Sequence, residues 1–566
     1  MEVEIKINRK TVEVVLLLIL ILIIAYFNLT ATLKSIVFGD EGFHGSIIRF
    51  ISKKLELPHY LSEIFGDNLS YSSYTYISVL HFLFSFFYLF GETAIKILIA
   101  VLPILVAFSL YVLLSKIINE KVGLLSAILF LTFQSVVIYS TTLYVDMLFT
   151  LFFSNSFLFL LLFIKKRSEK YFLVSSILAA LSLLTKPLLP YLLYFSVFII
   201  LFLKFFKQPK ILLKYLLIFS LPAIILFGSL IFRNVKLFNS PCIGFGVETL
   251  DSIINSVFKE NKCVISNYTP KYEFAGRTEK VGTEQDVLSF GILNYLRFAY
   301  WGNNILDFLL FFLFFGFLVL VLEKRYEIII LFLPLFLTIF IQSIQGKVLT
   351  TGILYRAEDF ARYTLQYSPF VALIISLSIS KFFEFLEKLI KKENLVFSIF
   401  IGFSIILFLV LLEYSFKPKL EIMKSLKTYS PLFFEACDWV KNNLPKNSTL
   451  LSLWGYRVAY NCERKVGGPQ DLRLSDNATF IYELAKAAKV DYFFIEKFSI
   501  DPLNRKYAEM YDLNWVKLIN ENFKKVYENG VPIENCISQL EELARRGFGY
   551  SICDGVVIYK TELKNI

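Results

Sequence analysis

Charge is in short supply along this chain. Asp, Glu, Lys and Arg make up 19% of its 566 residues, against about 25% in an average soluble protein. Hydrophobic residues account for 56% and aromatic residues for 17%, and mean hydropathy is +0.62. That balance excludes an ordinary soluble domain and predicts a polytopic α-helical membrane protein. Other absences narrow the class. No small-residue cleavage site follows the first apolar run, which favours a retained helix over a cleaved leader. The six cysteines show no C-x-x-C spacing, so a cysteine-based zinc site is not expected. No Gly-rich phosphate loop and no Ser-His-Asp arrangement stands in the C-terminal part. The net charge of +11 does not imply nucleic acid, because the basic residues sit where positive-inside topology wants them.

What the chain does have is a series of apolar runs punctuated by basic clusters. Residues 11–29 are apolar apart from Glu13 and Asn28, roughly the twenty residues a helix needs to cross the hydrocarbon core. Further runs occupy 94–115, 122–141, 147–164, 171–186, 188–206, 211–232, 303–322, 327–345, 364–381 and 395–413. About eleven spans result, and this count gathers Lys116, Lys121, Lys165, Lys166, Arg167, Lys204, Lys207, Lys210, Lys324, Arg325, Lys388, Lys391 and Lys392 on one face, the cytoplasmic one. Counting residues 74–90 as a span would turn every one of these clusters outward. That segment is therefore expected to be interfacial or re-entrant. The N-terminus is then cytoplasmic and the C-terminal part extracytoplasmic.

All six cysteines fall on the outer side of this topology, where disulfides persist. The expected pairs are the local ones, Cys242 with Cys263, Cys437 with Cys462, and Cys536 with Cys553. Two domains are expected, a transmembrane domain over 1–425 and a small soluble α/β domain over 426–566. In the second, Ser430-Pro431 reads as an N-cap and first helical residue, opening a helix to Asn443. Strands are predicted over 450–453, 491–495 and 555–559, and helices over 478–488 and 537–546. In the first outer loop, residues 45–54 read as an amphipathic helix lying on the membrane.

Ionisable residues at outer helix ends are the chemical signal, since placing them in or near lipid is costly. Asp40 and Glu41 follow the first span, and Asp146 opens the fourth. Lys186-Pro187 forms the turn between the fifth and sixth, Arg233-Asn234 leaves the seventh, and Arg362-Tyr363 enters the tenth. The plainer reading is a helix end anchored at the interface. Lys and Arg snorkel readily but Asp does so poorly. The three histidines His44, His59 and His81 all lie in the first outer loop. With Asp40 and Glu41 they could hold a divalent metal, or they could be interfacial packing residues.

The stretch Gly39-Asp40-Glu41-Gly42-Phe43-His44 resembles the acidic first outer loop of GT-C membrane glycosyltransferases, including protein O-mannosyltransferase and aminoarabinose transferase relatives. Tyr144-Val145-Asp146-Met147-Leu148-Phe149, Leu184-Thr185-Lys186-Pro187, Phe232-Arg233-Asn234 with Pro241, and Ala361-Arg362-Tyr363 with Pro369 follow in the family order. The resemblance implies an inverting transfer of a sugar from a polyprenyl (dolichyl) phosphate to a protein, lipid or glycan acceptor at the outer face. Asp40 would be the base for the acceptor hydroxyl, with Glu41 as neighbour or substitute. Lys186, Arg233 and Arg362 would hold the phosphate, beside Tyr363 and His44. Asp146 would orient the acceptor, the sugar or one of those cations. Oligosaccharyltransferases of the class carry W-W-D-Y-G. Here Leu453-Trp454-Gly455-Tyr456-Arg457 lacks its acidic residue, which argues against whole-glycan transfer to asparagine. No cofactor is certain, and a divalent metal stays open. Two alternatives also stand: a transporter or flippase for a lipid-linked substrate, though the charges lie at one face and no repeat is seen, and a non-catalytic cell-surface assembly protein.

Overall fold

A computed structural model describes residues 9–34, 40–65, 78–186, 190–238, 308–330, 365–428, 431–453, 455–467, 475–502, 511–546 and 553–564. Its first part is a helical bundle: α1 (Arg9–Lys34), α2 (Asp40–Lys54), α3 (Val79–Tyr88), α4 (Glu92–Ile117), α5 (Glu120–Thr132), α6 (Gln134–Tyr139), α7 (Val145–Lys166), α8 (Glu169–Thr185), α9 (Pro190–Phe205), α10 (Pro209–Phe238), α11 (Phe308–Leu322), α12 (Ser368–Ile390) and α13 (Glu393–Thr428). Among the described residues, six helices are long and apolar enough to cross a membrane. They are α1, α4, α7, α10, α12 (with the turn before it) and α13. Helices also stand at the expected places of α5, α8, α9 and α11, each in a shorter piece. Most of 327–345 lies outside the described residues.

Local chemistry explains the breaks. Asn119 caps α5, its side chain accepting from the Val122 amide at 2.9 Å, as short polar side chains do at helix starts. Phe133 turns extended (φ −62°, ψ 137°) and separates α5 from α6. Arg167 ends α7 in the left-handed region (φ 58°). The α3 helix has ten residues, about half the length a span needs, and the chain uses it as a short element beside α2 and α4. Interlocked phenylalanines fill the bundle: Phe153 lies edge-on to Phe370 at 5.8 Å, and Phe157 to the same ring at 5.5 Å.

The second part carries α14 (Pro431–Asn443), β1 (Thr449–Leu451), α15 (Gly455–Cys462), β2 (Lys465–Val466), α16 (Ala478–Ala487), β3 (Tyr492–Glu496), β4 (Ile500–Asp501), β5 (Tyr511–Asp512), α17 (Leu513–Asn522), β6 (Phe523–Glu528), α18 (Ile533–Arg545) and β7 (Val556–Leu563). One sheet has the order β2-β1-β3-β7-β6. β1 runs parallel to β2 and β3, and β7 antiparallel to β3 and β6. Because strand side chains alternate, β3 sends Phe493 and Ile495 into one core and Tyr492 and Phe494 into another. Disulfides join Cys437 to Cys462 and Cys536 to Cys553, the two local pairs expected. Cys242 and Cys263 lie outside the described residues.

One expectation needs correction. The helix after the first span begins at Asp40 and is covered by protein, where residues 45–54 were expected to lie on lipid. Ile48 is buried in the bundle core, while Ile47 and Ile51 are buried with Phe433, Val458 and Phe494 in the second core of the C-terminal part. Burying one isoleucine is worth roughly 1.5–3 kcal/mol, so α2 satisfies its apolar face between two protein cores. Arg49 on its polar side donates to the carbonyls of Tyr460 (2.8 Å) and Ala459 (3.1 Å).

Candidate active site

The candidate site is a ring of polar contacts that begins and ends on α2. Glu41, in the first turn of α2, is buried and accepts from the Leu143 amide at 2.6 Å. Leu143 stands just before α7, whose first turn holds Asp146. A carboxylate there meets the positive end of the helix dipole. Asp146 is 1% exposed and receives the Lys186 ammonium at 2.5 Å. Lys186 is the residue that ends α8, its amide bonded to the Ser182 carbonyl at 3.1 Å. The Thr185 carbonyl beside it accepts from Ser78 Oγ at 3.4 Å, and Ser78 caps α3. His81 in α3 shares a 2.8 Å hydrogen bond with His44 of α2, which closes the ring. α1 joins it through Asn28, whose side-chain oxygen accepts from Ser140 Oγ at 3.1 Å.

Burial first, and then the neighbouring His44, holds the His81 imidazole well below the usual histidine range, so His81 is neutral near pH 7. The hydrogen bond between the two rings pins α3 to α2.

The structure therefore brings Glu41, His44, Asp146 and Lys186 into one frame. Asp40 is the first residue of α2, adjacent to Glu41. Arg233 lies within α10, whose helix continues to Phe238, past the residues expected to span the membrane. It donates to the Pro58 carbonyl at 3.2 Å and to Asn234 Oδ1 at 3.1 Å, which fastens α10 to the turn after α2. Arg362 and Tyr363 lie outside the described residues. His59 stands apart from the histidine pair, its amide donating to Glu63 Oε1 at 2.8 Å. Among the described residues no group of three His, Cys, Asp or Glu is placed to hold a metal. His44 and His81 are turned toward each other.

Sequence reasoning did not find Ser78, Asn28 with Ser140, or Gly42. A Cβ on Gly42 would run into the backbone of Tyr456, and one on Gly45 would stand 2.6 Å from the Tyr460 ring. These glycines let α15 dock on α2. Phe43, Phe65 and Tyr456 then form an aromatic cluster with centroids 5.2–5.6 Å apart. A glycine inside a helical stretch is the one sequence signal of such close approach.

This architecture is similar to that of the Archaeoglobus fulgidus oligosaccharyltransferase AglB, solved with an inhibitory peptide and a dolichol-phosphate. Identity is 12%, coverage 95% of this chain and 88% of that one, and the TM-score 0.54. The apo form of the A. fulgidus enzyme gives 11% identity, 96% and 88% coverage, and a TM-score of 0.54. ArnT from Cupriavidus metallidurans, bound to undecaprenyl phosphate, gives 10%, 97% and 98%, and 0.42. No curated protein matches the chain. These likenesses are likenesses of fold. Residues 77–229 match the family described as dolichyl-phosphate-mannose-protein mannosyltransferase, a stretch that includes His81, Asp146 and Lys186.

Proposed function

We propose that this protein transfers one sugar from a polyprenyl phosphate to an acceptor hydroxyl at the extracytoplasmic face, with inversion at the anomeric carbon. The observation that carries the reading is the ring fixed to α2. Glu41 is committed to the Leu143 amide at 2.6 Å, which leaves its neighbour Asp40 as the base. Asp40 takes the acceptor's proton, the acceptor oxygen attacks the anomeric carbon, and the carbon–phosphate oxygen bond breaks. The phosphate is a good leaving group near neutral pH, so no general acid is needed. Arg233, Arg362 and Lys186 supply positive charge to it as that bond breaks, and Asp146 aims the Lys186 ammonium, 2.5 Å away. Tyr363 and His44 line the donor.

The donor class is supported by the family match over residues 77–229 and by the dolichol-phosphate captured with AglB. Outer-face placement rests on the basic loops. Arg457 speaks for a single sugar rather than a whole glycan. It is buried at 1% exposure and paired with Glu496 at 3.2 Å, so the segment where oligosaccharyltransferases carry an acid serves the domain's own core here. The acceptor is a hydroxyl of a protein, lipid or glycan.

The test uses the purified full-length protein with labelled dolichyl-phosphate sugars and acceptor extracts, and reads the product's anomeric configuration by NMR. Transfer with inversion is expected. Retention, or movement of the donor across vesicles without transfer, would overturn the reading.

A further inference from the structure

The turn that opens α12 holds a side chain that the ring does not use. Leu365–Tyr367 is a single 3-10 turn packed against α7. Leu365 lies in the bundle core, and the Tyr367 ring meets Phe153 edge-on at 6.0 Å. Phe153 is two turns, about 10 Å, along α7 from Asp146. Gln366 between them is 1% exposed, yet neither its amide nitrogen nor its amide oxygen has a partner among the described residues. The same seam, closed by Ser135 and Ser368 with hydroxyls 3.3 Å apart, also buries Gln134, whose amide oxygen has no partner among the described residues.

A primary amide withdrawn from water and left unbonded is costly. Leucine or methionine would fill such a place without that cost. We propose that Gln366 is a recognition residue for the sugar of the donor, an inference that rests on the donor reading above. The chemistry selects the ligand part. The amide offers donors at its nitrogen and an acceptor at its oxygen. A phosphate diester only accepts and a prenyl chain does neither, whereas a sugar hydroxyl both donates and accepts. Adjacent ring hydroxyls satisfy both ends of the amide together, and the unpartnered Gln134 oxygen on the same seam takes a further hydroxyl proton. A site that bonds a hydroxyl rejects ligands lacking it, because its own buried groups are then left unpaired.

The test compares wild type with Gln366→Leu and Gln366→Met in the full-length protein. It measures thermal stability without ligand and binding of dolichyl phosphate, dolichyl-phosphate mannose and dolichyl-phosphate glucose. Expected are a melting temperature equal to or above wild type, dolichyl phosphate affinity within about two-fold, and a loss of about ten-fold for whichever sugar-bearing donor wild type prefers. Unchanged affinity for that donor would overturn the proposal and assign the amide to a bridging water, with the donor reading intact. Equal losses for dolichyl phosphate and the donors would overturn it by moving the contact to the phosphate. Failure of both variants to fold would overturn it by showing the amide bonded within the protein. Wild type binding none of the three would defeat the donor reading itself, and this inference with it.

Discussion

Asp146–Lys186 in the bundle and Arg457–Glu496 in the C-terminal part are both ion pairs withdrawn from water, with side chains 1% and 9% exposed in the first and 1% and 2% in the second. Their settings differ. The guanidinium of Arg457 lies over the Phe433 ring at 3.9 Å, and its carboxylate partner ends β3, so the pair sits inside a close-packed core. Burial pushes the Glu496 carboxyl up from its usual value, and Arg457 opposes that push. Asp146 and Lys186 instead join two helix termini, the start of α7 and the end of α8. A buried pair recovers little net stability once desolvation is counted. In the C-terminal part it sets how α15 sits, and α15 in turn grips α2 through Gly42 and Gly45. In the bundle it holds a cation at the ring. The Arg457–Glu496 pair is therefore architectural, and the Asp146–Lys186 pair is the one given a part in the proposed reaction.

Breaking each pair separates these roles. Arg457→Leu leaves Glu496 buried without its partner, and a loss of about 3–5 kcal/mol is expected. Chemical denaturation followed by tryptophan fluorescence measures it, and adding Glu496→Leu should restore most of the loss. Asp146→Asn is expected to lower turnover about 100- to 1,000-fold with a much smaller shift in melting temperature, because Lys186 at a helix end reaches toward the interface. A large melting shift without a turnover loss would erase the distinction. Gly42→Ala forces the α2–α15 contact apart, and about 1–3 kcal/mol is expected from overpacking. Gly228→Ala, where an added Cβ meets nothing within 4 Å, is the control.

The smallest effect concerns pH. His81 is held neutral when folded, whereas unfolded histidine takes up its proton near pH 6.5. The stability it contributes is present above about pH 6.5 and is lost as pH falls through the interval below it. The melting midpoint should drop with acid in that interval, and His81→Gln should flatten the slope. An equal slope in the variant would assign the acid sensitivity elsewhere.

Much of the bundle was legible because apolar length and basic clusters are local properties. Helices stand at Arg9–Lys34, Glu92–Ile117 and Val145–Lys166 where hydropathy placed spans. Pro431 and Asn443 bound α14 because a proline at the first helical position is a local signal. Partners far apart in sequence were not legible. Asp146 and Lys186 are 40 residues apart, and His44 and His81 are 37. No periodicity links them, although each residue alone stood out by type. The docking of α2 on α15 was missed for the same reason. An amphipathic face shows that a helix needs an apolar cover and does not say whether lipid or protein supplies it.

Asp40 at the start of α2 is the central assignment, and pairing turnover with donor binding in Asp40→Asn tests it most directly. The amide keeps the size of the acid and much of its hydrogen bonding but cannot accept the proton. Turnover about 100- to 10,000-fold lower is expected, the usual cost of losing a general base, with dolichyl-phosphate-sugar binding nearly unchanged. Near-normal turnover at saturating donor and acceptor would place the base on another residue and contradict the role given to α2.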